Sequence, residues 1–435
     1  MGYIVTTIMA LGCAVSIYNK KKIESPGVLF TAIWVIVCFF ASLRLFDINK
    51  ADVITWLVIL VGVISFGLGT NVKIKSITER NNLNQTSYIS KSTFWILTVV
   101  LLAFSIKDLR QSLEIMSRGY TLGLIRSASY GIINIQGYDV NRDFLSVWID
   151  YFRDGLQVVL VATGIEFFIF DYRKNKKYLI AAAGLVLIEA FTTGGRWGIA
   201  YFIIELFVCY KIYCRRDSET YKINVSRKSR NRIFGILGLL VISIFVVSSV
   251  RGLSIEDSLS YYYAYLCGCV PLLDIKINVL NESGIYSFGF GGFFGIISFV
   301  IPILFRFVLG EGLPQFYQNG INEVITGQTV YDIGGGRTYN AFVTSFYYLY
   351  ADFRWLGVMM GMLLFGVIAG HYYRKATTDN NTSIVPYLII SQMMIKSIQI
   401  YPLSSQSYFA LFIIMFIIER IRSGRFRIGS RTITR

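Results

Sequence analysis

The 435 residues predict an all-α polytopic membrane protein of about 11 transmembrane helices, and three observations carry that prediction. Hydrophobic residues make up 54% of the chain and its mean hydropathy is +0.55, more than a water-soluble core requires. Apolar runs near the length that crosses hydrocarbon recur along the chain, without the two-residue alternation of a transmembrane barrel. The formal net charge of +16 is distributed in step with those runs, so it follows the membrane and calls for no nucleic acid.

The first run, 3–18, follows Met1 with no basic leader and no small-residue cleavage site, and reads as a retained helix. Runs 27–46, 53–71 and 93–108 come next, then 154–171, 178–193, 197–214 and 233–250, and finally 353–371, 385–401 and 407–420. If the odd-numbered connections face the cytoplasm, that side carries 27 of the 42 Lys and Arg, in short loops where the positive-inside rule applies. The N-terminus is therefore expected outside and the C-terminus inside, in one integral membrane domain over 1–435.

Two outer segments are long. Segment 109–153 mixes Arg110, Glu114, Arg118, Arg126, Asp139 and Arg142 with apolar residues at helical spacing, and reads as amphipathic helices at the interface, a solvated cap over the bundle. Segment 251–352 forms a large extracytoplasmic loop with an apolar stretch of its own, Gly291 to Leu309. A crossing there would put Arg374, Lys375 and the basic C-terminus on the wrong side, and Pro302 and Arg306 interrupt the stretch. An in-plane or re-entrant element follows, serving either as a packing lid or as the roof of a lipid-tail groove. No internal repeat is evident, which counts against transporter folds built from repeats.

Metal chemistry finds no support. Cys13, Cys38, Cys209 and Cys214 lie in or beside apolar runs, Cys267 and Cys269 are separated by one residue, and the single histidine, His371, falls at a cytoplasmic helix end. No cofactor is called for either. Arginine is the better candidate for binding. Arg196 follows Gly194-Gly195 at the outer hairpin between two runs, with Glu189 two turns back, and there it can offer its planar fork to a phosphate or snorkel to lipid headgroups. Arg251 ends the run 233–250 in the same layer, and Arg337 stands before Tyr339 and Asn340 at the far end of the loop. Three such arginines, if they converge, match a diphosphate.

Asp352, at the outer mouth of run 353–371 among aromatic residues, is the carboxylate best placed for acid–base work, with Glu189, Asp257 and Asp274 as rivals. A helix cap or an arginine partner explains it as well. The tyrosine clusters 261–265 and 346–350, with Tyr263 and Tyr347 foremost, can stack on sugars, though tyrosine is also the ordinary membrane-interface residue. Glu166, Glu205, Lys396 and Gln399 lie inside runs and can pair with one another in the bundle.

These residues resemble the bacterial Wzy-type polymerases of O-antigen and capsular oligosaccharide repeat units. The likeness rests on Thr193-Gly-Gly-Arg196, on Tyr263 to Asp274 after Arg251, on Ser287-Phe-Gly-Phe-Gly-Gly292, and above all on Asn340 to Thr344 with Tyr347-Tyr-Leu-Tyr-Ala-Asp352-Phe-Arg-Trp-Leu-Gly357. It covers residues 180 to 375; Arg354 departs from it, standing where the family often has glycine. The resemblance implies a GT-C-like membrane fold in the bacterial cytoplasmic (inner) membrane. It implies a metal-independent glycosyl transfer from undecaprenyl diphosphate onto the terminal sugar of a second lipid-linked repeat unit. Arg196, Arg251 and Arg337 would hold the diphosphate, with Asn340, Tyr263 and Tyr347 beside the substrate and Asp352 or Glu189 as base. Partners would be undecaprenyl-diphosphate-linked oligosaccharide, membrane lipids and a chain-length regulator. A flippase for the same lipid, or an O-antigen ligase, is the alternative.

Overall fold

The computed structural model describes residues 1–20, 22–73, 87–121, 124, 144–170, 175–193, 197–217, 255–320, 331–339, 343–378 and 382–422. In chain order these form α1 (Gly2–Lys20), α2 (Pro26–Leu43), α3 (Val53–Asn71), α4 (Lys91–Ser117), α5 (Phe144–Phe170), α6 (Lys176–Thr193), α7 (Trp197–Asp217), α8 (Ile255–Cys267), α9 (Cys269–Ser283), α10 (Phe294–Pro302), a hairpin of β1 (Tyr331–Asp332) and β2 (Thr338–Tyr339), then α11 (Thr344–Thr378), α12 (Val385–Lys396) and α13 (Gln406–Arg422).

Among the described residues α2, α3, α4, α7 and α11 are long and apolar enough to cross a membrane, and α8 with α9, bent by 49°, together make a sixth candidate. The chain is an all-α membrane protein. The remaining expected runs within the described residues are occupied by α1, α5, α6, α12 and α13, helices that are shorter or more polar than a free-standing span. Run 233–250 lies outside the described residues. The bent pair lies within 251–352, the segment expected to be a large loop containing amphipathic or re-entrant helices; its tyrosines lower its apparent hydropathy while still suiting an interface. At the two ends of segment 109–153, α4 runs unbroken to Ser117 and α5 starts at Phe144, while Arg126, Asp139 and Arg142 lie outside the described residues. Helical spacing alone does not distinguish a helix extension from a helix lying in the interface.

The chain gathers into two compact units. The first holds Met1–Ile74, Ser248–Lys375 and Ile390–Gln406. Small residues let its helices approach closely: a Cβ on Gly69 would overlap the Leu363 carbonyl, and one on Gly366 the Phe66 carbonyl, which brings the backbones of α3 and α11 together. Gly370 repeats the contact one turn on, against Thr70. Aromatic rings pack in this core, with Phe30 stacked on Phe66 at 4.0 Å and Trp34 tilted against Phe346 at 4.5 Å. The start of α3 is capped from outside: Asp274 on α9 accepts from the Asp52 amide at 2.7 Å and the Thr55 hydroxyl at 2.6 Å.

The second unit holds Lys75–Val247, Ala376–Ile389 and Ser407–Arg435. Here Ser90 caps α4 by accepting from the Thr93 amide at 3.0 Å, and Gly164 on α5 lets α6 approach at Tyr178 and Ala182. Glu166 is buried on α5 and accepts from the Ser383 hydroxyl at 2.8 Å and the Ile384 amide at 2.6 Å, so it caps the entrance to α12. Arg216 donates to the Ala376 and Thr382 carbonyls. These two side chains hold Ala376 and residues 382–384, a use for Glu166 other than the pairing with intramembrane polar groups that the sequence suggests.

Candidate functional site

Within the first unit, non-spanning structure is built at two places. One is a turn of residues 44–49 clasped by the hairpin. Residues Arg44, Phe46 and Asp47 all have positive φ, at 51°, 61° and 58°, a conformation that costs energy for side chains with a Cβ. Tyr263 holds one side of this turn: its hydroxyl donates to the Phe40 carbonyl at 2.5 Å and accepts from the Leu45 amide at 3.0 Å. Arg337 holds the other, donating to the Phe46 carbonyl at 2.9 Å with its guanidinium 5.4 Å from the Phe46 ring centre.

Three consecutive glycines make that clasp possible. Gly334, Gly335 and Gly336 all have positive φ, and a Cβ on Gly334 or Gly335 would overlap the carbonyl of Asp47 or Phe46. The Asn49 amide donates to the Ile333 carbonyl at 2.8 Å, and the Asp332 carboxylate accepts from the Gly334 amide at 2.8 Å. Burial pushes the Tyr339 phenol well above its ordinary range. Gly335, Gly336, Arg44 and Lys50 are exposed, and Arg337 is half-buried with one nitrogen committed to Phe46. Arg44, Lys50 and Arg337 offer donors to anionic oxygens here, on a surface that also carries the exposed carboxylates Asp47 and Asp332.

The second place is the break in α11. Asp352 is 2% exposed, and its carboxylate accepts from the Ser287 hydroxyl at 2.5 Å and from the amides of Gly289 at 2.9 Å, Gly291 at 2.8 Å and Gly292 at 2.7 Å. Glycine is required at 291 and 292, where a Cβ would press on the Tyr348 carbonyl or on Asp352 itself. So placed, Asp352 fixes the Ser287–Gly292 loop, and an acceptor hydroxyl would reach it only by displacing that loop. Ser404 donates to the Gly291 carbonyl at 2.5 Å, tying the loop to the connection after α12.

Immediately beyond, Phe353 and Arg354 leave helical geometry, Arg354 with φ 51° and ψ −131°. The Arg354 guanidinium donates to the carbonyls of Leu280 and Ile285, each at 2.7 Å, and lies 4.4 Å from the Tyr286 ring centre. The position where the resemblance expects glycine thus has a backbone that suits glycine, and an arginine whose side chain is used to hold it there.

Of the residues singled out from sequence, Tyr263 and Arg337 meet around one turn. Tyr347 is buried in the first turns of α11, its ring 5.5 Å from that of Tyr348. Glu189, in the second unit, is exposed on α6 and accepts a hydrogen bond from Gln157. Asp274 is the cap of α3 described above. Arg196, Arg251 and Asn340 lie outside the described residues. Apolar length places residues 44–46 in the run 27–46, whereas α2 ends at Leu43 and the chain turns there; Arg44 and Lys50 are the local signal of that turn. Among the described residues no group of three or more His, Cys, Asp or Glu could hold a metal ion.

Comparison with known proteins finds no match to this chain among family models, curated proteins or solved structures.

Proposed function

We propose that this protein is a membrane glycosyltransferase that polymerises lipid-linked oligosaccharide repeat units into O-antigen or capsular polysaccharide at the outer face of the bacterial cytoplasmic membrane. The observation that carries the reading is the clasp of Arg337, three positive-φ glycines and the 44–49 turn, which offers cationic and backbone donors beside helices long enough to span a membrane. A diphosphate attached to a polyisoprenoid would present its oxygens at such a boundary.

In the proposed reaction the acceptor sugar hydroxyl attacks the anomeric carbon of the donor glycan. The bond from that carbon to the diphosphate oxygen breaks, the hydroxyl proton passes to a base, and undecaprenyl diphosphate leaves with the electron pair. Arg337 steadies the negative charge that grows on the leaving diphosphate. Arg196 and Arg251 are proposed in the same role from sequence alone. Tyr263 keeps the clasp in shape, and Asp352 contributes by fixing the loop after α9. Glu189 is proposed as a proton acceptor from sequence alone.

A second reading, a flippase for the same lipid, draws on the bend between α8 and α9, since broken helices recur at transporter binding sites. Proteoliposomes given lipid-linked repeat units on one side at a time distinguish the two. Glycan lengthening on one side without lipid crossing supports the polymerase. Lipid crossing without lengthening rejects it, and transfer only to a foreign acceptor identifies a ligase.

A further inference from the structure

Beside the Asp352 loop stands an exposed aromatic group that the proposed reaction does not use. Phe288 is 73% exposed and adopts φ 45°, which a residue with a Cβ rarely does. Its conformation is imposed from both sides: the Ser287 hydroxyl and the Gly289 amide both bond Asp352 Oδ1, and the Ser287 amide donates to the Ala351 carbonyl at 3.0 Å. The loop is therefore held so that the ring between those two anchors points outward. Strain of this kind persists where the surrounding structure over-determines it, and it clusters at working surfaces.

The ring is not isolated. It lies 5.8 Å from Tyr286 and 6.1 Å from Phe353. Phe353 begins a row at helical spacing along α11, continued by Leu356, Met360 and Leu364, all exposed, on a helix long and apolar enough to cross a membrane. Of the two charged residues flanking Phe353, Asp352 is buried under the loop and Arg354 donates to backbone carbonyls and stacks on Tyr286. The aromatic patch stands at the end of this exposed apolar row, on a helix with the length and hydropathy of a membrane span.

We propose that Phe288, with Tyr286 and Phe353, forms a lipid-contact finger that inserts into bilayer hydrocarbon at the broken end of α11. Its position would set the depth at which the α9–α10 connection rides on the membrane. The inference rests on the membrane class of the protein and is independent of the reaction it performs.

The test places benzoylphenylalanine at position 288 of the full-length protein, reconstituted in vesicles of dioleoyl phosphatidylcholine and phosphatidylglycerol. The same photoreactive residue at 356 serves as the lipid-facing reference and at 282, an exposed polar position, as the water-facing one. Irradiation is expected to give phospholipid adducts at 288 in yield comparable to 356 and several-fold above 282. A yield at the level of 282 would mean that the ring faces water. A crosslinked dimer in place of lipid adducts would mean that a second copy covers the patch. Either result overturns the proposal, and the same measurement at 286 provides an independent position on the finger.

Discussion

The Arg354 guanidinium donates to the Leu280 carbonyl at 2.7 Å, closing the last turn of α9 from a side chain 74 residues later in the chain. Two residues before it, Asp352 bonds the loop that follows α9. One break in a membrane helix thus anchors both ends of the connection between α9 and α10. The Leu280 carbonyl belongs to the C-terminus of α9, where a cation is favoured by the peptide dipoles as well as by the hydrogen bond, and the Ile285 carbonyl lies just beyond it.

Arg354→Ala removes these bonds and leaves a Cβ at a strained φ, whereas Arg354→Gly loses the same bonds but relieves the backbone. A hydrogen bond from a charged donor contributes roughly 1.5–3 kcal/mol and the strain costs roughly 1–3 kcal/mol. Thermal unfolding in detergent is expected to rank wild type above Arg354→Gly, and Arg354→Gly above Arg354→Ala. A glycine variant less stable than the alanine variant would show that the backbone there is not strained.

Asp352→Asn should destabilise nearly as much as Asp352→Ala. Both carboxylate oxygens accept, so whichever way the amide turns, an NH2 group faces a backbone N–H or a hydroxyl. The expected loss is about 1–3 kcal/mol, read from denaturation midpoints. If Asp352 acts by position, any remaining glycan extension in Asp352→Asn keeps the pH profile of wild type. Disappearance of the acidic limb of that profile would instead assign the proton transfer to Asp352.

Gly366→Ala introduces a methyl group against the Phe66 carbonyl and is expected to cost about 1–3 kcal/mol by forcing α3 and α11 apart. Gly69→Ala strains the same seam from the other helix. Once the helices have separated for the first methyl group, the second costs less, so the double variant should lose less than the sum of the singles. Strict additivity in detergent unfolding would mean that the two glycines act at separate contacts.

Asp274→Ala deletes the cap of α3 and should cost about 1–2 kcal/mol without changing how the protein handles a lipid-linked glycan. Loss of extension in a variant that remains folded and abundant would move Asp274 from capping to chemistry.

The helices were readable because apolar length is a local property, and the described runs fall on helices even where the bounds differ. The uses of polar residues depend on distant partners. Arg337 was visible as an arginine near glycines, but the carbonyl it holds is 291 residues away at Phe46. Asp352 could be placed at a helix mouth, but the amides that occupy it lie 60 to 63 residues earlier, in a glycine-rich stretch that signalled only a turn. Arg354 was recognisable as an unusual residue at that position, while its purpose depends on the end of α9. Glu166 carried only the general message that a carboxylate inside a membrane helix needs a partner; that the partner is the entrance of α12 is a property of the fold.

The central claim concerns Arg337, and the most direct measurement compares wild type with Arg337→Ala, matched for abundance, in proteoliposomes supplied with lipid-linked repeat units. Its bond to Phe46 is partly exposed, so folding should change by less than about 1 kcal/mol. Glycan extension is predicted to fall by at least about 100-fold, the scale on which removing a donor from a developing anion acts. Extension by Arg337→Ala at the wild-type rate would contradict the account.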